Sequence, residues 1–141
     1  MSSSERPVVI AVDGSPRAER VFARGLALAQ SLGAPVHVVR TVGIEGEAHE
    51  RFDEKSPSEV RDSVVQAAER DLRTLVAGRS AEAHVIVASP VSGICAFAAG
   101  YDAQLLVIGT HGYGAIEKLL GTTAARLVER ASCDVYVVRA R

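Results

Sequence analysis

Five short runs rich in valine, isoleucine and leucine, each separated from the next by a stretch of helical periodicity, constrain this chain more than any other feature. They are residues 7–12 (PVVIAV), 35–40 (PVHVVR), 83–88 (AHVIVA), 103–109 (AQLLVIG) and 134–140 (DVYVVRA). A near-continuous apolar run, as opposed to an alternating one, marks a strand covered on both faces. The intervening stretches carry helix punctuation. Ser15-Pro16 reads as a helix start, with serine as N-cap and proline at the first helical position. Val21, Phe22, Gly25, Leu26, Ala29 and Leu32 share the face that follows, and Gly33 stops it. Residues 43–55 are polar, acidic-leaning and aperiodic, a surface loop. Ser56-Pro57-Ser58-Glu59 is a capping box. Behind it Val60, Val64, Ala67, Ala68, Asp71, Leu72 and Leu75 share a face on which Asp71 is the one polar member, and Gly78 closes the helix. Ser89-Pro90 repeats the start signal, with Ile94, Phe97 and Ala98 facing inward until Gly100. A last helix over 122–131 buries Ala124, Leu127, Val128 and Ala131. Five strands alternating with four helices imply right-handed crossovers and a doubly wound parallel sheet of the α/β class. With no repeat, low-complexity tract or linker, a single domain over 1–141 is expected, residues 1–6 forming a disordered tail.

Composition narrows the partners. A length of 141 residues suffices for one core. The formal net charge of −1 offers no basic surface for nucleic acid or membrane. No apolar run approaches the ~20 residues of a membrane span. The N-terminal MSSSERP lacks the apolar segment of a secretion signal. Cys95 and Cys133 have no metal or redox spacing and read as buried free thiols. A cytoplasmic setting is expected.

In doubly wound sheets ligands gather beyond the carboxyl ends of the strands where the winding reverses. Two strand ends here carry suitable chemistry: VDGS at 12–15 and GTHGYG at 109–114. Gly109, Gly112 and Gly114 tolerate positive φ and can turn backbone N–H groups toward an anion. Gly121-Thr122-Thr123 begins a helix, where free N–H groups and the helix dipole favour phosphate and the threonine hydroxyls add donors. Asp13 repels phosphate unless a metal intervenes, so it is better placed to accept hydrogens from a ribose or base. Plainer roles stand beside these. The glycines could make only a tight turn, Asp13 and Ser15 could merely cap a helix, and His111 could be an ordinary loop histidine. His37, His49 and His84 have no ligand spacing along the chain, and no metal site is expected. The P-loop and dinucleotide patterns are absent, and no nucleophile–base–acid set is visible.

These residues resemble the universal stress protein family. The resemblance runs through VVIAVDGSPRAERVFARGLALAQSLGAPVHVV and AQLLVIGTHGYGAIEKLLGTTAARLVERASCDVYVVR, nearly the whole chain. The family's nucleotide-binding pattern, G-x2-G-x9-G-[ST], falls on Gly109, Gly112, Gly121 and Thr122, with Thr110 and Thr123 beside them. The resemblance implies strand order 3-2-1-4-5 and a homodimer. It also implies, as in some members of the family, ATP or a related ADP or AMP, with magnesium as the accompanying ion. Nucleotide contacts at the ends of strands 1 and 2 would fall on Ala11, Asp13 and Thr41. Hydrolysis would be slow at most, since no residue qualifies as a catalytic base. The sequence departs from the family at three points. Eight residues separate Gly112 from Gly121 where the pattern has nine. Thr41 stands where valine is frequent, and Ala88 where glycine is frequent. In the implied order the fifth strand is an edge without proline, lysine or glycine, so Val135, Tyr136, Val137 and Val138 are the expected dimer interface. The implied role is a regulatory or protective stress-response protein with an unnamed protein partner. The alternative is a dimeric interaction protein of the same fold without nucleotide.

Overall fold

The computed structural model describes residues 6–43, 57–110 and 120–139. The apolar runs become strands β1 (Val8–Ala11), β2 (Val36–Val42), β3 (Glu82–Val87), β4 (Leu105–Gly109) and β5 (Asp134–Val138). They form one sheet in the order β3-β2-β1-β4-β5, and every neighbouring pair is parallel. Between them run helices α1 (Ala18–Leu32), α2 (Pro57–Val76), α3 (Pro90–Gly100) and α4 (Thr122–Arg130).

Strand alternation distributes the core between two layers. Val8, Ile10 and Val38 pack with Phe22 of α1 and Leu72 of α2 on one face. Val9, Ala11 and Val39 pack with Ile94 and Ala98 of α3 and Leu127 of α4 on the other. The central strand β1 is therefore sealed on both sides, and Val8, Val9 and Ile10 have no solvent exposure. Phe22 is equally enclosed, a burial that contributes roughly 1.5–3 kcal/mol relative to an exposed ring.

Four local readings change. The first helix begins at Ala18, with Arg17 as N-cap, and not at Pro16. The Asp13 carboxylate accepts the Ser15 N–H at 2.9 Å and the Ser15 hydroxyl accepts the Arg17 N–H at 3.2 Å. These two side chains satisfy backbone donors in a turn and so delay the helix. Leu32 is exposed at the last residue of α1, where no following turn shields it before Gly33 reverses the chain at φ 63°. Val128 is exposed as well, since the buried stripe of α4 runs through Ala124 and Leu127. Arg6, assigned to the disordered tail, is anchored: its guanidinium donates to the Asp102 carboxylate at 3.3 Å and to the Ala103 carbonyl at 3.2 Å. The loop read at 43–55 and the Ser56 cap lie outside the described residues apart from Gly43.

Candidate functional site

The site grows from the carboxyl ends of β1 and β4, which are hydrogen-bonded neighbours through Ile10 and Val107. In the order β3-β2-β1-β4-β5 the winding reverses between these two strands, so a crevice opens there. Asp13 lies just past the end of β1. Across from it the chain leaves β4 at Gly109-Thr110. The Thr110 N–H donates to the Val138 carbonyl at 3.0 Å, and the Thr110 carbonyl accepts the Gly121 N–H at 2.9 Å. Those bonds hold the start of α4 against the end of β4. Gly121 is the N-cap of α4 in an extended conformation (φ −61°, ψ 155°) and has no side chain with which to cap the helix. The positive end of α4 and its first N–H groups are thus presented beside two exposed hydroxyl-bearing residues, Thr122 and Thr123.

The structure therefore gathers Ala11, Asp13, Gly109, Thr110, Gly121, Thr122 and Thr123 at one end of the sheet. Thr41, near the end of β2, joins them from the outer side of β1. Gly112, with Gly114 and His111, lies outside the described residues. Gly109 differs from expectation. Among the described residues the glycines with positive φ are Gly33 and Gly78. Gly109 is constrained by contact instead, because a Cβ there would stand 3.2 Å from Val21 Cγ2 of α1 and that side chain would have to shift.

A cleft of about 230 Å³ adjoins Asp13 on the α1/α2 face, lined in part by Asp13, Ser15, Arg40 and Asp71. Asp71, expected on the apolar face of α2, is instead 74% exposed at the rim of this cleft, where it pairs with Arg40 at 3.4 Å. Thr41 points to the other layer, where its Cγ2 would meet a Cβ on Gly93 at 3.2 Å. The cleft and Thr41 are thus on opposite faces, and of the two only the cleft includes Asp13. The strand-end set, with its helix N-terminus, offers the better anion chemistry.

Linear spacing missed a second constellation. His37 and His84 lack ligand spacing in the sequence, yet parallel pairing of β2 with β3 brings His37 Nδ1 within 2.9 Å of His84 Nε2. A signal was available: in a parallel pair, polar residues on one face of two adjacent apolar strands converge in space. Burial, with the neighbouring His84 second, lowers the pKa of His37 below the usual histidine value, against the opposing pull of Glu82. Burial also raises the Cys133 thiol, helped by Asp134. Cys95 and Cys133 are free but only partly buried, short of the full burial expected.

Fold and strand-end geometry define the class: a doubly wound α/β protein with glycine and threonine at the strand end and helix start of the switch point. The model of the universal stress protein family matches residues 5–139, and the chain belongs to that family. The Thermus aquaticus universal stress protein of the QAH/OAS sulfhydrylase 3′ region is 30% identical over 136 residues, covering 95% of this chain and 98% of its own. A universal stress protein from Archaeoglobus fulgidus, solved in complex with dAMP, is 27% identical with a TM-score of 0.63, covering 95% of this chain and 98% of that one. The protein MJ0577 superposes with a TM-score of 0.81 at 17% identity over 98% of both chains, a likeness of fold. Among the described residues, no helix is long and apolar enough to cross a membrane.

Proposed function

We propose that this universal stress protein binds an adenine nucleotide, ATP or a related ADP or AMP, across the ends of β1 and β4. The carrying observation is the α4 N-terminus, whose N-cap Gly121 brings no side chain of its own and is bonded to the end of β4 through Thr110. A phosphate there would take backbone N–H groups and the Thr122 and Thr123 hydroxyls as donors. Base and sugar would lie toward Ala11, Asp13 and Thr41. Asp13 has one carboxylate oxygen on Ser15 and offers the other to a ribose or base hydrogen. The donor set suits the polyanion without a metal, and magnesium would travel with the phosphates of ATP. Support from relatives comes from the Archaeoglobus fulgidus protein in complex with dAMP.

Binding would bias conformation or partner choice in a cytoplasmic homodimer that pairs through β5. Turnover would be slow at most. A second reading, a dimer of this fold without nucleotide, is favoured by one observation: the Asp13–Ser15 bond already gives Asp13 a local structural role. The two readings separate when freshly purified protein is denatured and its supernatant analysed for adenine nucleotide, with calorimetric titration of ATP into nucleotide-free protein. Binding supports the first. No heat and no co-purified nucleotide leave the second.

A further inference from the structure

The opposite end of the sheet holds a cluster that the nucleotide reading does not use. His37 is the second residue of β2 and Glu82 the first of β3, and the strand register sets them side by side. His84, two residues along β3, points to the same face by strand alternation. His37 Nδ1 lies 2.9 Å from His84 Nε2 and 3.5 Å from Glu82 Oε2, and His84 Nε2 lies 4.0 Å from Glu82 Oε1. One donor atom from each residue falls within 4.8 Å of the other two.

Aromatic packing fixes both imidazoles. The Tyr101 ring stacks 4.2 Å from that of His37, and Phe97 stands 4.9 Å from His84 at a steep angle. Both come from the C-terminal end of α3. The His37 and His84 side chains are 14% and 19% exposed, whereas Glu82 is 67% exposed. Two rigid nitrogen donors therefore lie on an aromatic wall, with a movable carboxylate on the solvent side.

We propose that His37, His84 and Glu82 form a zinc site whose fourth position opens to water. Tetrahedral zinc holds its donors at about 2.0–2.2 Å, which spaces them roughly 3.4 Å apart. The present separations bracket that value, so an opening of about half an ångström between the rings and a rotation of Glu82 complete the shell. Two imidazoles favour zinc and its transition-metal neighbours over magnesium or calcium, which prefer oxygen. In the metal-free pair, one ring nitrogen must donate its hydrogen to the other. On binding, both facing nitrogens use their lone pairs. The donating ring shifts its hydrogen to its far nitrogen, so neutral imidazoles need lose no net proton. The ion would tie β2 to β3 beside the end of α3.

The test uses the full chain without a histidine tag, stripped by chelator and titrated with zinc against a chromogenic competitor. One zinc per chain is expected, with cobalt giving the visible bands of a four-coordinate site. His84→Gln and Glu82→Gln should each weaken zinc binding by about tenfold or more. Glu82 is exposed, so its variant reads the site without disturbing the core. His49→Gln and His111→Gln should bind as the parent does. Absence of stoichiometric zinc overturns the proposal. So does binding unchanged in the Glu82 and His84 variants, or binding lost in the His49 or His111 variants.

Discussion

The N–H of Gly121 donates to the carbonyl oxygen of Thr110 at 2.9 Å, and this bond holds the start of α4 against the end of β4. Thr110 is itself held by the Val138 carbonyl of β5. Both ends of the segment are therefore pinned to the sheet. With eight residues between Gly112 and Gly121, one fewer than in the resembled pattern, the start of α4 still lies at the end of β4.

Gly121→Val should fold and fail to bind nucleotide. The backbone at Gly121 is extended, at φ −61° and ψ 155°, a conformation that valine adopts readily. The cost falls on the ligand, whose phosphate would meet a branched side chain at the helix N-terminus. Calorimetry should record at least about a tenfold loss of ATP affinity, equivalent to ~1.4 kcal/mol, with an unchanged circular dichroism spectrum. Parent-like affinity in the folded variant would remove the phosphates from this helix end.

Nucleotide should stabilise the parent protein. At a hundredfold excess over its dissociation constant, a ligand specific for the folded state adds ~2.7 kcal/mol. In a domain of this size that raises the melting midpoint by about 5 °C or more. Thermal melts with millimolar ATP, with and without magnesium, provide the check. A flat response would count against the nucleotide reading.

Gly93→Ala should destabilise the fold even though alanine is the better helix former. A Cβ at this position would stand 2.7 Å from the Ala88 Cβ, 3.2 Å from Thr41 Cγ2 and 3.3 Å from Ile86 Cδ1. The Ala88 Cβ is fixed to the backbone, so α3 must move away from β2 and β3. Overpacking of this kind costs about 1–3 kcal/mol, against a helix-propensity gain of about 1 kcal/mol. Urea unfolding should show a net loss. Because Thr41 is among the displaced atoms, ATP affinity should fall as well.

Cys133 should react slowly with thiol reagents near pH 8. Burial first, then Asp134 and Cys95, raise its pKa, while Arg6 opposes them. A raised acid constant delays the thiolate, which is the reactive species, to higher pH. In a Cys95→Ser variant, alkylation by iodoacetamide should trail free cysteine at pH 8 and accelerate as pH rises toward 10. A rate matching free cysteine at pH 8 would show that the thiol is not shielded.

The layers and strand order were legible because apolar runs and helical periodicity are one-dimensional signals, and the family likeness supplied the winding. The placement of the proposed site residues at the strand ends was legible for the same reason, as they follow the runs directly. What stayed hidden depends on contacts between distant segments. Gly109 looked like a source of positive φ, but its role is set by Val21, 88 positions earlier in the chain. Asp71 reads from periodicity as the one polar member of an apolar face, yet it is exposed and paired with Arg40 of β2. The pairing of His37 with His84 depends on strand register, which neither local sequence specifies. The delayed start of α1 turns on competition between Ser15 as helix cap and Ser15 as turn partner, a balance of about 1 kcal/mol that sequence does not resolve.

Val137→Pro should convert the proposed homodimer to monomer without disrupting the subunit. The Val138 carbonyl accepts from Thr110, the residue after β4, so Val138 turns its backbone polar groups toward the interior of the sheet. Strand alternation then turns those of Val137 outward, to the free edge of β5. Proline at this position deletes an edge donor and spares the β4 ladder. The same alternation refines the expected interface. The Val138 side chain is 3% exposed and belongs to the subunit core, so it can bring no side-chain contact to a partner. Val135, Tyr136 and Val137 are partly buried and remain available. Sedimentation velocity at micromolar concentration should give a parent species of two chains and a Val137→Pro species of one, both with the same far-ultraviolet spectrum. A single-chain parent would end the β5 pairing, and a two-chain Val137→Pro variant would move the interface to another surface.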